Sequence, residues 1–144
     1  MTNRLVISNG KSGKSSAFEA IIEQMGGDDF TQILRLTRGV NLNEAVRKAV
    51  VDDKCRLVVA AGGDGTVNVV VNAIMRLPVE LRPRLAIIPI GTANDFAGTL
   101  LISDDIQEVV DSMDDSKFVP IDVVRINAGR FERFFANVDR KSVV

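Results

Sequence analysis

A three-layer, doubly wound α/β domain with a mostly parallel sheet is the fold this sequence predicts. Two observations carry the prediction. Short apolar runs alternate with stretches of helical periodicity, the order that builds strand–crossover–strand units with helices on both faces of a sheet. Two of the runs, Leu57–Ala61 and Leu85–Pro89, are continuously apolar rather than alternating, as parallel strands covered on both faces are.

The elements read in chain order. Arg4–Ser8 is a first strand. Ala17, Phe18, Ile21, Ile22 and Met25 then share one helical face, and Gly26-Gly27 ends that helix. Gln32–Leu36 is a second, weaker strand. Asn41 and Glu44 stand at capping-pair spacing: the Asn41 oxygen accepts from a free helical N–H, and Glu44 reaches back. Behind them Leu42, Ala45, Val46, Ala49 and Val50 form an i, i+3, i+4, i+7, i+8 stripe. After strand Leu57–Ala61, Val67, Val70, Val71 and Ile74 mark a helix over Thr66–Met75. Strand Leu85–Pro89 follows, then a helix carried by Ile106, Val109, Val110 and Met113, then a strand over Phe118–Ile126. No internal repeat, low-complexity tract or proline-rich linker interrupts the alternation.

Composition removes several function classes. The 144 residues suit one domain with a substantial core. Eighteen Lys+Arg against nineteen Asp+Glu leave a net charge of −1, which gives no overall basic field for nucleic acid or an anionic membrane. The chain has no histidine, so a Ser-His-Asp triad and a His metal site are excluded. Cys55 is the only cysteine. An internal disulfide and a Cys-x-x-Cys zinc site are therefore excluded, and a reducing, cytoplasmic setting is expected. No apolar run approaches the ~20 residues of a membrane span. Met1–Arg4 leads straight into a strand and makes a poor signal peptide.

Two glycine-bearing turns leave buried strands. In Gly62-Gly63-Asp64-Gly65-Thr66, three glycines free the backbone for close approach of a phosphate. Thr66 is placed as the N-cap of a helix whose free N–H groups attract anions. Asp64 beside phosphates makes sense as a handler of Mg²⁺, directly or through water. A tight strand–helix turn with a capping threonine is the alternative reading. The second turn, Pro89-Ile90-Gly91-Thr92-Ala93-Asn94-Asp95-Phe96, offers Thr92, Asn94 and Asp95 either as caps or as groups in the same crevice. In open α/β sheets that crevice lies beyond the carboxyl ends of the strands. Two turns converging there favour a nucleotide site. A third stretch, Ser8–Ser15, nearly spells the P-loop pattern. Gly13-Lys14-Ser15 fits, but Ser8 stands where the first glycine belongs, so both a P-loop and an ordinary polar loop are open there. Asp104-Asp105, Asp111 to Asp115, and Arg82 and Arg84 around Pro83 read as solvated charge.

Gly62-Gly63-Asp64-Gly65-Thr66 with Asn68, followed by Pro89-Ile90-Gly91-Thr92-Ala93-Asn94-Asp95-Phe96, resembles the diacylglycerol kinase catalytic-domain family, and within it the YegS-like bacterial lipid kinases. Asn9-Gly10-Lys11-Ser12, Leu36-Thr37, Ile121-Asp122 and Asn127 also look like that subgroup. NAD kinases and 6-phosphofructokinases share the Gly-Gly-Asp-Gly turn; the Gly-Thr-Ala-Asn-Asp-Phe turn favours the lipid kinases. The resemblance implies an NAD kinase/diacylglycerol kinase-like N-terminal domain that binds ATP with Mg²⁺. A C-terminal β-rich domain, absent here, would complete the lipid site. Carried over position by position, Thr37, Gly62, Gly63, Asp64, Gly65, Thr66, Val67, Asn68, Val69 and Thr92 would contact ATP, with Asp64 close to the phosphates and metal. The γ-phosphoryl would pass to the hydroxyl of a diacylglycerol-like lipid during a transient visit to the membrane surface, with a carboxylate accepting the proton.

This chain departs from the family at three points. Val69 stands where members usually have Glu, and Gly10 where most have Pro. The carboxylate base and second-domain metal site have no counterpart. The end, Asp139-Arg140-Lys141-Ser142-Val143-Val144, resembles a translated sequencing adapter. Residues 1–137 are thus expected to be the ATP-binding domain and 138–144 a foreign tail. A catalytically incompetent nucleotide-binding fragment and a P-loop NTPase are the alternatives to a lipid kinase.

Overall fold

A computed structural model of the chain describes residues 3–9, 16–90, 94–113 and 118–136. Four strands, β1 (Arg4–Asn9), β2 (Thr31–Leu36), β3 (Leu57–Gly62) and β4 (Arg84–Pro89), form one sheet in the order β2-β1-β3-β4. All its pairings are parallel; Val6 faces Ile33 on one side and Val59 on the other, and Val59 in turn faces Ala86.

Alternation along the strands divides the core into two layers. Leu5, Ile7, Val58 and Ala60 point to one face and pack against α2 (Leu42–Val51) and α3 (Asp64–Met75). Val6, Leu57, Val59 and Ala61 point to the other and meet α1 (Ser16–Gly26) and α5 (Ile106–Ser112). Helix–sheet–helix layering of a parallel sheet is the doubly wound α/β architecture. Every residue of β3 is buried, which accounts for its unbroken apolar run. Because β2 lies on one side of β1 while β3 and β4 lie on the other, the strand order reverses between β1 and β3. That reversal is the topological switch point, beyond which such sheets bind ligands.

The structure corrects the reading of the chain's last strand. Residues 118–123 belong to no regular element, and only Val124–Ala128 is extended, as β5. It pairs antiparallel with β6 (Phe131–Phe135), outside the main sheet. Pro120 has no N–H to donate, and the two-residue turn Gly129-Arg130 folds the chain back. Gly129 sits there at φ 62°, in the position where glycine-first hairpin turns need it.

Two capping expectations divide differently. The Asn41 side chain accepts from the Glu44 N–H, as expected, but the Glu44 carboxylate turns outward to Arg47 at 2.8 Å instead of reaching back. Two of the residues read as solvated charge also have local work. Arg82 donates to the Leu77 and Met75 carbonyls, closing the end of α3, and Asp105 caps α5 through the Gln107 and Glu108 N–H groups. Arg84 lies 4.6 Å from the Phe118 ring centroid.

Candidate functional site

The site builds from the carboxyl end of β3. Gly62 is the last β3 residue, paired with Pro89 of β4. A β-carbon on Gly62 would come within 2.6 Å of the Thr66 β-carbon, so glycine lets the strand turn directly under the helix that follows. The helix starts earlier than the periodicity suggested. Asp64 is its first residue and Gly63 its N-cap, with no side-chain cap bond. Thr66 is therefore not the N-cap; it is buried inside the first turn, against Gly62. The displacement has a physical cause, since Gly63 supplies no side chain and leaves the first N–H groups of α3 without an intrahelical partner.

Asp64 does the capping across the crevice. One carboxylate oxygen accepts the Asp95 N–H and the other the Phe96 N–H, each at 3.1 Å. These are first-turn donors of α4 (Asp95–Thr99). Asn94, just before them, holds a left-handed φ of 46°, a conformation asparagine tolerates better than bulkier residues. The two glycine-bearing turns are thus joined by one carboxylate.

A cavity of about 220 Å³ opens beside this junction, lined by Asp64, Gly65, Val67, Asn68, Phe96, Phe135 and Ala136. Four of these are residues the sequence singled out. Gly62, Gly63 and Thr66 shape the turn without lining the cavity, and Val69 lies half-exposed outside the lining. Thr37 follows β2 at the same carboxyl edge, exposed, two strands from Gly62, or about 10 Å at ordinary strand spacing. Thr92 and the Gly10–Ser15 loop lie outside the described residues, as does the tail 137–144. Phe96, Phe135 and Ala136 are lining residues that motif reading did not assign. Motif reading also passed over Asn72, a buried polar residue on α3 that lies outside the lining and binds the backbone of β6. Its signal was available, as an asparagine one turn after Asn68 in an otherwise apolar helix.

A second cavity of about 660 Å³ lies along the outer edge of β4, walled by Ile74, Leu85, Ile87, Leu100, Val109 and Met113 among others. It is mainly apolar and includes none of Gly62–Val69, whereas the smaller one includes Asp64, Gly65, Val67 and Asn68. Among the described residues no cluster of three acidic, cysteine or histidine residues is poised for a metal. Asp64 is the one carboxylate in the lining of the smaller cavity. Cys55 is buried under β3, and burial raises its thiol pKa, so its role is packing. No helix among the described residues is long and apolar enough to cross a membrane.

Comparison with known proteins agrees with this fold. Residues 3–126 match the family model of the diacylglycerol kinase catalytic domain. A YegS-like protein of Pectobacterium atrosepticum, described as a probable lipid kinase, is 33% identical over 127 residues, covering 88% of this chain and 42% of that protein. A similarly described protein of Yersinia pestis is 32% identical over 142 residues, covering 96% and 46%. A solved diacylglycerol kinase structure from Bacillus anthracis superposes with a TM-score of 0.68 at 29% identity, covering 85% of this chain and 45% of that one. The chain spans less than half the length of these relatives. With the family match covering most of the chain and the parallel sheet, its switch point and the paired turns all in place, the protein belongs to the diacylglycerol kinase catalytic domain family.

Proposed function

We propose that this chain is the nucleotide-binding part of a lipid kinase that transfers the γ-phosphoryl of ATP to the hydroxyl of a diacylglycerol-like lipid. One observation carries the reading: Asp64 ties the Gly62–Thr66 turn to the Asn94–Phe96 turn beside the switch point, at the uncapped start of α3. An uncapped helix start with glycines before it offers backbone N–H groups and a partial positive charge to phosphate oxygens. In this reading Gly62, Gly63, Gly65 and Thr66 shape the phosphate cradle. Val67, Asn68 and Val69 continue it along α3, Thr37 lies at the same sheet edge, and Thr92 is assigned to ATP by the family resemblance alone. Asp64 would be the residue that holds Mg²⁺. Bound there, the ion would offset the charge that develops on the transferred group.

Phosphoryl transfer also needs a group to take the hydroxyl proton. Asp64 is already committed to two backbone N–H groups. The acceptor is therefore assigned to a carboxylate of a further, β-rich domain. The outward face of β5–β6, with Val124, Ile126 and Phe131 about half exposed, supports that assignment, since contiguous exposed apolar surface marks interaction sites. The substrate brings the enzyme to the membrane surface from the cytoplasm. The 144-residue chain alone, 1–137 being the ATP-binding unit and 138–144 foreign, binds nucleotide without turnover. The residues of the P-loop reading, Gly13-Lys14-Ser15, lie outside the described residues.

Titration calorimetry with Mg-ATP tests the reading. Saturable 1:1 binding is expected, without phosphorylation of diacylglycerol vesicles by the chain alone. Absence of binding would remove the nucleotide assignment, and lipid phosphorylation by this chain would remove the assigned need for another domain.

A further inference from the structure

We propose that Asn72 is a positioning residue whose carboxamide grips the backbone of Phe134 and so sets Phe135 and Ala136 as the far wall of the Asp64 cavity. The inference rests on the nucleotide reading above for what the cavity holds, but not for the grip itself.

The grip is two-sided. The Phe134 N–H donates to Asn72 Oδ1 at 2.9 Å, and Asn72 Nδ2 donates to the Phe134 carbonyl at 2.8 Å. A carboxamide carries donor and acceptor in one plane, as a peptide group does, so Asn72 stands in for a neighbouring strand. It does so along the edge of β6 that faces away from β5. Asn72 Nδ2 also donates to the Asn68 carbonyl at 2.9 Å, and lies 3.4 Å from Asn68 Oδ1. Both amide hydrogens and the carbonyl oxygen are thereby engaged, and the side chain is 5% exposed. Buried amides of this kind are kept only where their partners are complete.

Geometry carries the consequence to the site. Asn68 lines the cavity from α3, while Phe135 and Ala136 line it from the hairpin, directly after the gripped residue. Asn72 lies one helical turn behind Asn68 and out of the cavity. Among the described residues it is the one polar link between α3 and the hairpin; the apolar contact comes from the Phe134 side chain in the α2–α3 core, with Ala136 and Val123 packed against that core. An apolar contact tolerates sliding, whereas a paired N–H and C=O fix the register of β6 along the helix. Alanine, the residue following Asn72, would fill the helix equally well and would leave that register unset.

Hydrogen exchange and Mg-ATP calorimetry on the 144-residue chain test this. Asn72→Ala should speed exchange of the Phe134 amide about tenfold or more relative to the Val59 amide, the factor that an orphaned buried donor commands. It should weaken Mg-ATP by on the order of tenfold, if the wall is displaced by as little as an ångström. Asn72→Asp, equal in shape, should keep the Phe134 N–H protected while its carboxylate opposes the Phe134 carbonyl. It should therefore bind less well than wild type and better than Asn72→Ala. Val50→Ala, on α2 away from the cavity, serves as the structural control and should lower global stability with Mg-ATP affinity kept within about twofold. Unchanged Phe134 exchange in Asn72→Ala overturns the grip. Unchanged Mg-ATP affinity, or an equal loss in Val50→Ala, overturns the positioning role. Failure of the wild-type chain to bind Mg-ATP refutes the nucleotide reading and with it the role at the cavity, while Phe134 exchange still decides the grip.

Discussion

β3 and β5 are both short strands rich in β-branched residues, yet every residue of β3 is buried and every residue of β5 is exposed. The contrast comes from what covers them. β3 has a strand on each side and helices on both faces, whereas β5 has one partner, β6, and β6 alone reaches the core, through Phe134. Propensity makes both segments extended, but only layering makes one of them stable. The candidate site lies beside both regions: α3 and α4, which follow β3 and β4, supply most of its lining, and the hairpin supplies one wall.

The sharpest way to break this comparison is to put one charge in each strand. Val59→Asp buries a carboxylate with no partner between two layers and should abolish cooperative folding. Val124→Asp, at a residue about half exposed, should move stability by no more than about 0.5 kcal/mol. Urea unfolding followed by far-ultraviolet circular dichroism reads both, and comparable losses would dissolve the distinction. Next in size is Phe134→Ala, which removes the hairpin's apolar anchor. A loss of about 3–5 kcal/mol is the usual cost of such a deletion. It should appear as collapsed amide protection in β6 with protection in β1 and β3 intact. Equal loss in all three strands would make hairpin and sheet one cooperative unit.

How much of this was legible beforehand follows the same division. The four parallel strands and the helices between them were readable because layered burial writes itself as apolar runs and helical stripes. β6 was not. Phe131-Glu132-Arg133-Phe134-Phe135 alternates only weakly, and its identity as a strand depends on Gly129 and on β5 opposite. At the site, the glycines and Asp64 stood out by type and spacing. What escaped was the direction of the capping. From sequence, Thr66 was the natural cap of its own helix, whereas Asp64 caps a different one, 31 residues away. Partnerships between turns are tertiary facts, and local pattern does not contain them.

Two smaller effects sharpen the contrast at the junction. Gly62→Ala forces a β-carbon against Thr66 and should cost about 1–3 kcal/mol, as overpacking does. The same change at Gly65, where a β-carbon meets nothing within 4 Å, should cost far less in denaturant titrations. For Asp64, stability and binding should separate. Asp64→Ala removes both acceptors and should cost about 1 kcal/mol, typical of a lost cap. Asp64→Asn keeps one acceptor and should cost only part of that. Mg-ATP affinity should fall similarly in both, because neither retains the charge. An Asp64→Asn variant with wild-type affinity would reduce Asp64 to a cap.

The smallest expected effect compares one ion pair from each region. Arg4 of β1 meets Asp28 at 2.8 Å and also donates to Thr31, while the Phe30 N–H donates to the same carboxylate. Burial pushes the Asp28 pKa up, but the hydrogen bonds from Arg4, Thr31 and Phe30 outweigh it and leave the pKa below its ordinary value. A carboxylate depressed in the folded state adds stability that is fully present above its unfolded pKa, near 4, and disappears as pH falls through the native value. Arg4→Met should therefore cost on the order of 1 kcal/mol at pH 7, and the gap to wild type should narrow as the pH is lowered below about 4. The hairpin's pair, Arg125 with Glu132 at 3.9 Å, is exposed on both sides. Glu132→Gln should leave the urea midpoint unchanged at either pH, since such pairs contribute little. A gap for Arg4→Met that stays constant with pH would show that Arg4 stabilises the sheet by packing its stem rather than by its charge.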